Sequence, residues 1–155
     1  MCSALNHHLH QVTDSAKFAT FFYAEWNNNE RRLCYVNAGH HPPILLGSNC
    51  GKRLDSGGFP LGLFSDAEFQ TGELTLEPGD LLVLYSDGIT EAESRGGEEF
   101  GEHRLQAAVE ASCGKPLVEL QAGVLESVGQ WSGRGEPEDD MTLLIVRATE
   151  AESLA

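Results

Sequence analysis

LEPGDLLVLYSDGITEAES, residues 76–94, holds in order a tight turn, the most apolar strand of the chain and an acidic strand end. Glu77-Pro78-Gly79-Asp80 has the chemistry of a turn. Leu81 to Tyr85 is apolar throughout, the pattern of a strand covered on both faces. Asp87-Gly88 then delivers a carboxylate at the C-terminal edge of that strand, beside a glycine that lets the chain turn or a ligand approach.

Downstream, apolar spacing predicts a helix from about Gly101 to Ala111 on Leu105, Ala108 and Val109. It predicts a second from Pro116 to Trp131 on Leu117, Leu120, Val124 and Val128, with Pro116 in the first turn, where proline is tolerated. Residues 132–137 read as a polar surface loop, and Met141 to Arg147 as a final buried strand. Asp139-Asp140 stands directly before that strand. If it lies antiparallel beside Leu81–Tyr85, Asp87 and Asp139 meet at one rim of the sheet.

Upstream, Phe69 to Leu76 alternates as a half-buried strand, and Ile44-Leu45-Leu46 is a short strand ended by Gly47. FATFFYAEW (18–26) and RLCYVN (32–37), joined through Asn27-Asn28-Asn29, form a predicted hairpin apolar on both faces and hence central. Leu5, Leu9 and Val12 are helically spaced, so the chain opens within the last turns of an amphipathic helix. Several strands, two helices and a closing strand predict an α+β domain with a mainly antiparallel sheet over residues 1–150, followed by a frayed tail, 151–155.

The chain of 155 residues, 41% apolar, is long enough to bury a core. Its formal charge of −14 repels phosphate backbones and anionic lipid, which excludes nucleic acid and membrane surfaces as partners. No apolar run reaches the roughly 20 residues of a membrane span, and Met1 to His10 lacks the pattern of a signal peptide. Cys2, Cys34, Cys50 and Cys113 show no C-x-x-C spacing and read as reduced thiols. A cytoplasmic protein is expected.

Carboxylates converging without histidine or cysteine make a hard-oxygen site suited to Mg²⁺ or Mn²⁺ rather than Zn²⁺. Taken singly, Asp-Gly after a strand is common turn chemistry, and an Asp pair before a strand is often a solvated loop end. The same pair, Asp87 and Asp139, has the residue types of glycosidase acids, but no aromatic sugar platform accompanies it. His7 and His10 share a helical face with no third ligand, which favours a solvated face over a metal site. The acidic clusters Glu98-Glu99 and 136–140, Asp139 excepted, read as solvated surface.

Five blocks in order, FATFFYAEW, YVNAGHHPPILL, GGFPLGLF, LEPGDLLVLYSDGITEAES with GEEFGEHRL, and DDMTLLIV, resemble the PPM-type metal-dependent protein serine/threonine phosphatases of the bacterial SpoIIE-like branch. The resemblance runs from about Phe18 to Val146. It implies an α-β-β-α sandwich with a two-metal centre, Mn²⁺ or Mg²⁺, at one end of its sheets. Asp87 matches the family's late metal-binding Asp-Gly and Asp139 the first Asp of its terminal acidic pair, with Asp140 its neighbour. No catalytic residue apart from the metal ligands is implied. Gly88 and Glu91 belong to the block around Asp87, Glu91 either orienting water in the outer shell or capping the next turn. Asn37 and His40 belong to the NAGHH block, either shaping the rim of the site or bracing its loop.

The implied reaction is attack of a metal-activated water on phosphoserine or phosphothreonine in a signalling regulator, an anti-sigma factor antagonist. The family's earlier glycine-rich Asp-Gly motif, whose Asp bridges both metals, has no match before Phe18. The chain is therefore expected to be the C-terminal portion of such a domain, with its N-terminal part missing and with weak or single-metal binding. The alternative is a catalytically impaired module that docks a phosphoprotein. An exposed sheet edge favours pairing with a second copy.

Overall fold

The computed structural model describes residues 1–14, 17–48, 50–133 and 139–150. The expected loop lies outside them from residue 134 onward, as does the tail 151–155. The chain folds as two compact units, one of residues 1–42, 52–77 and 149–155, the other of residues 43–51 and 78–148.

The first unit opens with helix α1, Cys2–Val12. Of its apolar stripe, Leu9 is half-buried, but Leu5 is 37% and Val12 62% exposed, whereas Asn6 is 1% exposed. The amide of Asn6 is consumed by a distant loop, which accounts for burying a polar side chain. It donates to the carbonyls of Phe64 (2.8 Å) and Ser65 (3.4 Å) and accepts from the N–H of Gly62 (2.8 Å). His10 Nδ1 donates to the Gly62 carbonyl at 2.9 Å.

The hairpin forms as β1, Phe21–Asn27, and β2, Arg32–Ala38, antiparallel with Phe21 opposite Ala38 and Asn27 opposite Arg32. The turn is held by the Asn27 side chain, which accepts from the N–H groups of Asn29 and Glu30. Among the described residues β2 is the central strand of the pair: it also pairs with the short β4, Gly57–Gly58, in parallel and with β5, Gly72–Thr75, antiparallel. The expectation that both strands are covered is corrected for β1, which lies at the sheet edge among the described residues and whose residues from Ala24 to Asn27 are exposed. The half-buried strand expected over 69–76 narrows to β5, with the predicted alternation of Gly72 and Leu74 inward, Glu73 and Thr75 outward.

Among the described residues the second unit holds a sheet of three strands in the order β3, Ile44–Leu46; β6, Leu81–Tyr85; and β7, Leu143–Arg147, all antiparallel. The central β6 is the covered strand that its composition implied: Val83 is 0% exposed and Tyr85 1%. The one-turn helix α2, Asp87–Thr90, follows it directly, then α3, Gly101–Glu110, and α4, Leu117–Ser132. Leu105, Val109, Leu120, Val124 and Val128 from the two long helices pack with Val83, Tyr85 and Ile89 into one core. Pro116 stands one residue earlier than expected, as the N-cap of α4. The expectation of a fully buried last strand is also corrected. β7 lies at the sheet edge among the described residues and turns Leu144 (54%) and Val146 (43%) to solvent.

The α+β class and the mainly antiparallel sheets thus agree with the sequence. All four cysteines are free.

Candidate metal centre

Antiparallel pairing of β6 with β7 puts Tyr85 opposite Leu143, so the residues after the first strand and before the second share one rim. Ser86 joins them. Its N–H donates to the Thr142 carbonyl (3.0 Å), its hydroxyl donates to the Asp140 carbonyl (3.1 Å), and its Oγ accepts from the Thr142 N–H (2.9 Å). The register of the pair is thereby carried past the end of the sheet into both acidic loops.

Gly88 closes the second point of contact. A Cβ built on it would lie 2.6 Å from the Asp140 carbonyl oxygen and 3.5 Å from the Asp139 carbonyl carbon. Only a residue without a side chain lets α2 approach the 139–140 backbone so closely.

The carboxylates are oriented locally. Asp87 Oδ1 accepts from the Gly88 N–H (3.0 Å), and the Asp87 carbonyl accepts from the Glu91 N–H (2.7 Å) and the Thr90 hydroxyl (3.3 Å). Asp139 Oδ1 accepts from the Asp140 N–H (2.7 Å). All three aspartates, Asp87, Asp139 and Asp140, are exposed at the rim. A carboxylate has about four acceptor sites, so one backbone N–H bond each leaves Asp87 and Asp139 with acceptor capacity to spare.

The donor set is therefore carboxylate oxygen on two abutting loops, which fits a hard divalent ion such as Mg²⁺ or Mn²⁺. Among the described residues, no group of three or more His, Cys, Asp and Glu side chains gathers at one point.

Of the sequence-predicted site residues, Asp87, Gly88, Glu91, Asp139 and Asp140 belong to the second unit and Asn37 and His40 to the first. Glu91 is the C-cap of α2, and its side chain is exposed. Asn37, 4% exposed, donates to the Leu54 carbonyl (2.9 Å) and accepts from the His40 N–H (2.8 Å), a brace across its own loop. The Thr20 hydroxyl lies 3.4 Å from His40 Nδ1. The sequence alone assigns Ser86 no role, because serine after a strand looks the same whether or not a second loop lies across it.

Ser86→Ala is expected to lose about 1 kcal/mol of stability in urea denaturation. If the two acidic segments hold Mn²⁺, its affinity should fall about 10-fold in a titration, since the variant frees their orientation. An unchanged affinity would mean that the serine holds the strands but not the site.

The family description "Stage II sporulation protein E (SpoIIE)" matches residues 1–149. The protein IcfG of Synechocystis sp. is 34% identical over 134 residues, 86% of this chain and 21% of its own length. The phosphoserine phosphatase RsbU of Bacillus subtilis is 31% identical over 146 residues, 92% of this chain and 43% of its own length. The chain thus spans less than half the length of these curated relatives. Among solved structures, that of the RsbU and RsbW domains of Rv1364c from Mycobacterium tuberculosis superposes with a TM-score of 0.75 at 23% identity. The match covers 93% of this chain and 40% of that one, a likeness of fold.

Proposed function

The chain belongs to the SpoIIE family of PP2C-type phosphatases, and from that premise we propose that residues 1–150 act as the C-terminal portion of one metal-dependent protein serine/threonine phosphatase domain. Its substrate is a phosphoserine or phosphothreonine on a bacterial signalling regulator of the anti-sigma factor antagonist kind, met in the cytoplasm. The observation that carries this reading is the joining of two acidic loops by Ser86 and Gly88 at the end of the β6–β7 pair.

Metal dependence is general to the family. In this chain Asp87 and Asp139 would hold Mg²⁺ or Mn²⁺, with Asp140 beside them and Glu91 bordering the loop. When bound, the ion activates water and offsets charge on the phosphoryl oxygens. Asp87 and Asp139 keep their oxygens at the rim. Ser86 fixes the separation of the loops, and Gly88 leaves room for their approach. The glycosidase role for the two aspartates is set aside by the family assignment. No helix among the described residues is long and apolar enough to cross a membrane.

The test is phosphate release from a phosphoserine peptide and from p-nitrophenyl phosphate by the protein as its gene encodes it. Release is expected with Mn²⁺, to stop with EDTA, and to return when Mn²⁺ is restored. Release undiminished by EDTA would refute the metal-dependent reading. Retention of the phosphopeptide without turnover in Mn²⁺ would favour the docking module instead.

A further inference from the structure

GGFPLGLF, residues 57–64, places two phenylalanines on the surface: Phe59 is 58% exposed and Phe64 48%. Their rings meet edge to face, with centroids 5.0 Å apart at 74°. They are walls of an open pocket of about 590 Å³ completed by Gly57, Gly58, Ala67 and the carboxylate-bearing Asp66 and Glu68.

The pocket is built rather than incidental. Asn6, buried in α1, takes the carbonyls of Phe64 and Ser65 and the N–H of Gly62, so the backbone that carries Phe64 is pinned at three points. On the other wall, the Gly57 carbonyl accepts from the Gln70 N–H at 3.0 Å, folding the acidic segment back over the strand. Two aromatic rings left 58% and 48% exposed on a pinned backbone present a fixed apolar surface, and such a surface binds at low entropic cost.

The charge pattern selects the occupant. Asp66 and Glu68 stand on a chain of net charge −14, so nucleic acid and anionic lipid are repelled at this pocket, and a second copy of equal charge is disfavoured there. A cation is attracted by both the carboxylates and the ring faces. We propose that this pocket is a docking site for a protein segment that presents a lysine or arginine next to an apolar side chain. The apolar group packs on Phe59 and Phe64, and the basic group lies between the rings and the Asp66 and Glu68 carboxylates.

The experiment uses the full chain and a fluorescently labelled, capped peptide containing Leu-Arg-Leu-Lys, read by anisotropy. Controls are the same peptide with Glu in place of both basic residues and a variant with Ala in place of both leucines. The basic, apolar peptide is expected to bind at least 10-fold more tightly than either control. Phe64→Ala should weaken it about 10-fold, and Asp66→Asn with Glu68→Gln about 3-fold to 10-fold with loss of the salt dependence. The two amide substitutions are at exposed positions, so they keep the test valid if Phe64→Ala disturbs the loop. Equal binding of the acidic peptide, no binding of the basic one, or an affinity indifferent to both sets of variants would overturn the proposal. So would concentration-dependent self-association that Phe64→Ala abolishes, which would give the pocket to a second copy.

Discussion

Asp87→Asn should lower Mn²⁺-supported hydrolysis of a phosphoserine substrate by about 100-fold or more while leaving the melting temperature within a few degrees of the parent. Removing a supporting partner of a metal ligand already costs about 10-fold to 100-fold, so losing a ligand's own charge belongs at or beyond the upper end. The fold should not notice. Asp87 is exposed, and among the described residues its carboxylate makes one hydrogen bond, from the Gly88 N–H to Oδ1, which an asparagine carbonyl also accepts. The substitution therefore isolates charge from shape. Asp139→Asn should behave alike, because its bond from the Asp140 N–H is of the same kind. Mn²⁺ titration alongside thermal melting checks both. If Asp87→Asn retained activity within threefold of the parent, Asp87 would not be a ligand.

Gly88→Ala sets two effects of opposite sign against each other. Gly88 lies within α2, where exchanging glycine for alanine favours the helix by up to about 1 kcal/mol. Against this, the new methyl would sit 2.6 Å from the Asp140 carbonyl oxygen and 3.1 Å from its carbon. Because those are backbone atoms, no rotamer change relieves the clash, and overpacking of this kind costs about 1–3 kcal/mol. The clash should win, so net destabilisation is expected in urea denaturation. As the 139–140 segment is pushed away from Asp87, turnover should drop by about 100-fold, the scale associated with a displacement of about 1 Å. Gly129→Ala in α4 is the control. Nothing lies within 4 Å of a Cβ there, and the variant should gain about 0.5–1 kcal/mol. Stabilisation of both variants would show that the two loops give way readily and that Gly88 does not set their distance.

What the sequence made legible were the elements whose environment is written in their own residues. LLVLY announces a covered strand by being apolar on both faces, and Leu120, Val124 and Val128 announce one buried stripe of α4. β7 misled for the same reason: Leu143 to Val146 is as apolar as β6, but nothing in a run of apolar residues says which face has a neighbour. Leu144 and Val146 remain exposed. α1 misled in the opposite sense. Leu5 has the spacing of a core residue, yet Asn6 is the buried one: the groups that satisfy it lie near residues 62–65, and only the folded chain brings them to the helix. Of the acidic rim, Asp87, Asp139 and Asp140 could be located as strand ends. The means of joining them, a serine hydroxyl and a missing Cβ, depends on a second loop to which local sequence is blind.

The pairing of Leu81 with Arg147 also orders events in time. Between them in the chain lie α3 and α4, which pack on Val83 and Tyr85. The β6–β7 closure is thus a long loop whose entropy is recovered only after local structure has formed within it. In the nascent chain the carboxylates of Asp87 and Asp139 are strangers. They come to one rim only when β7 closes on β6. A chain arrested just before that step would carry its helices and its central strand, and no acidic rim at all.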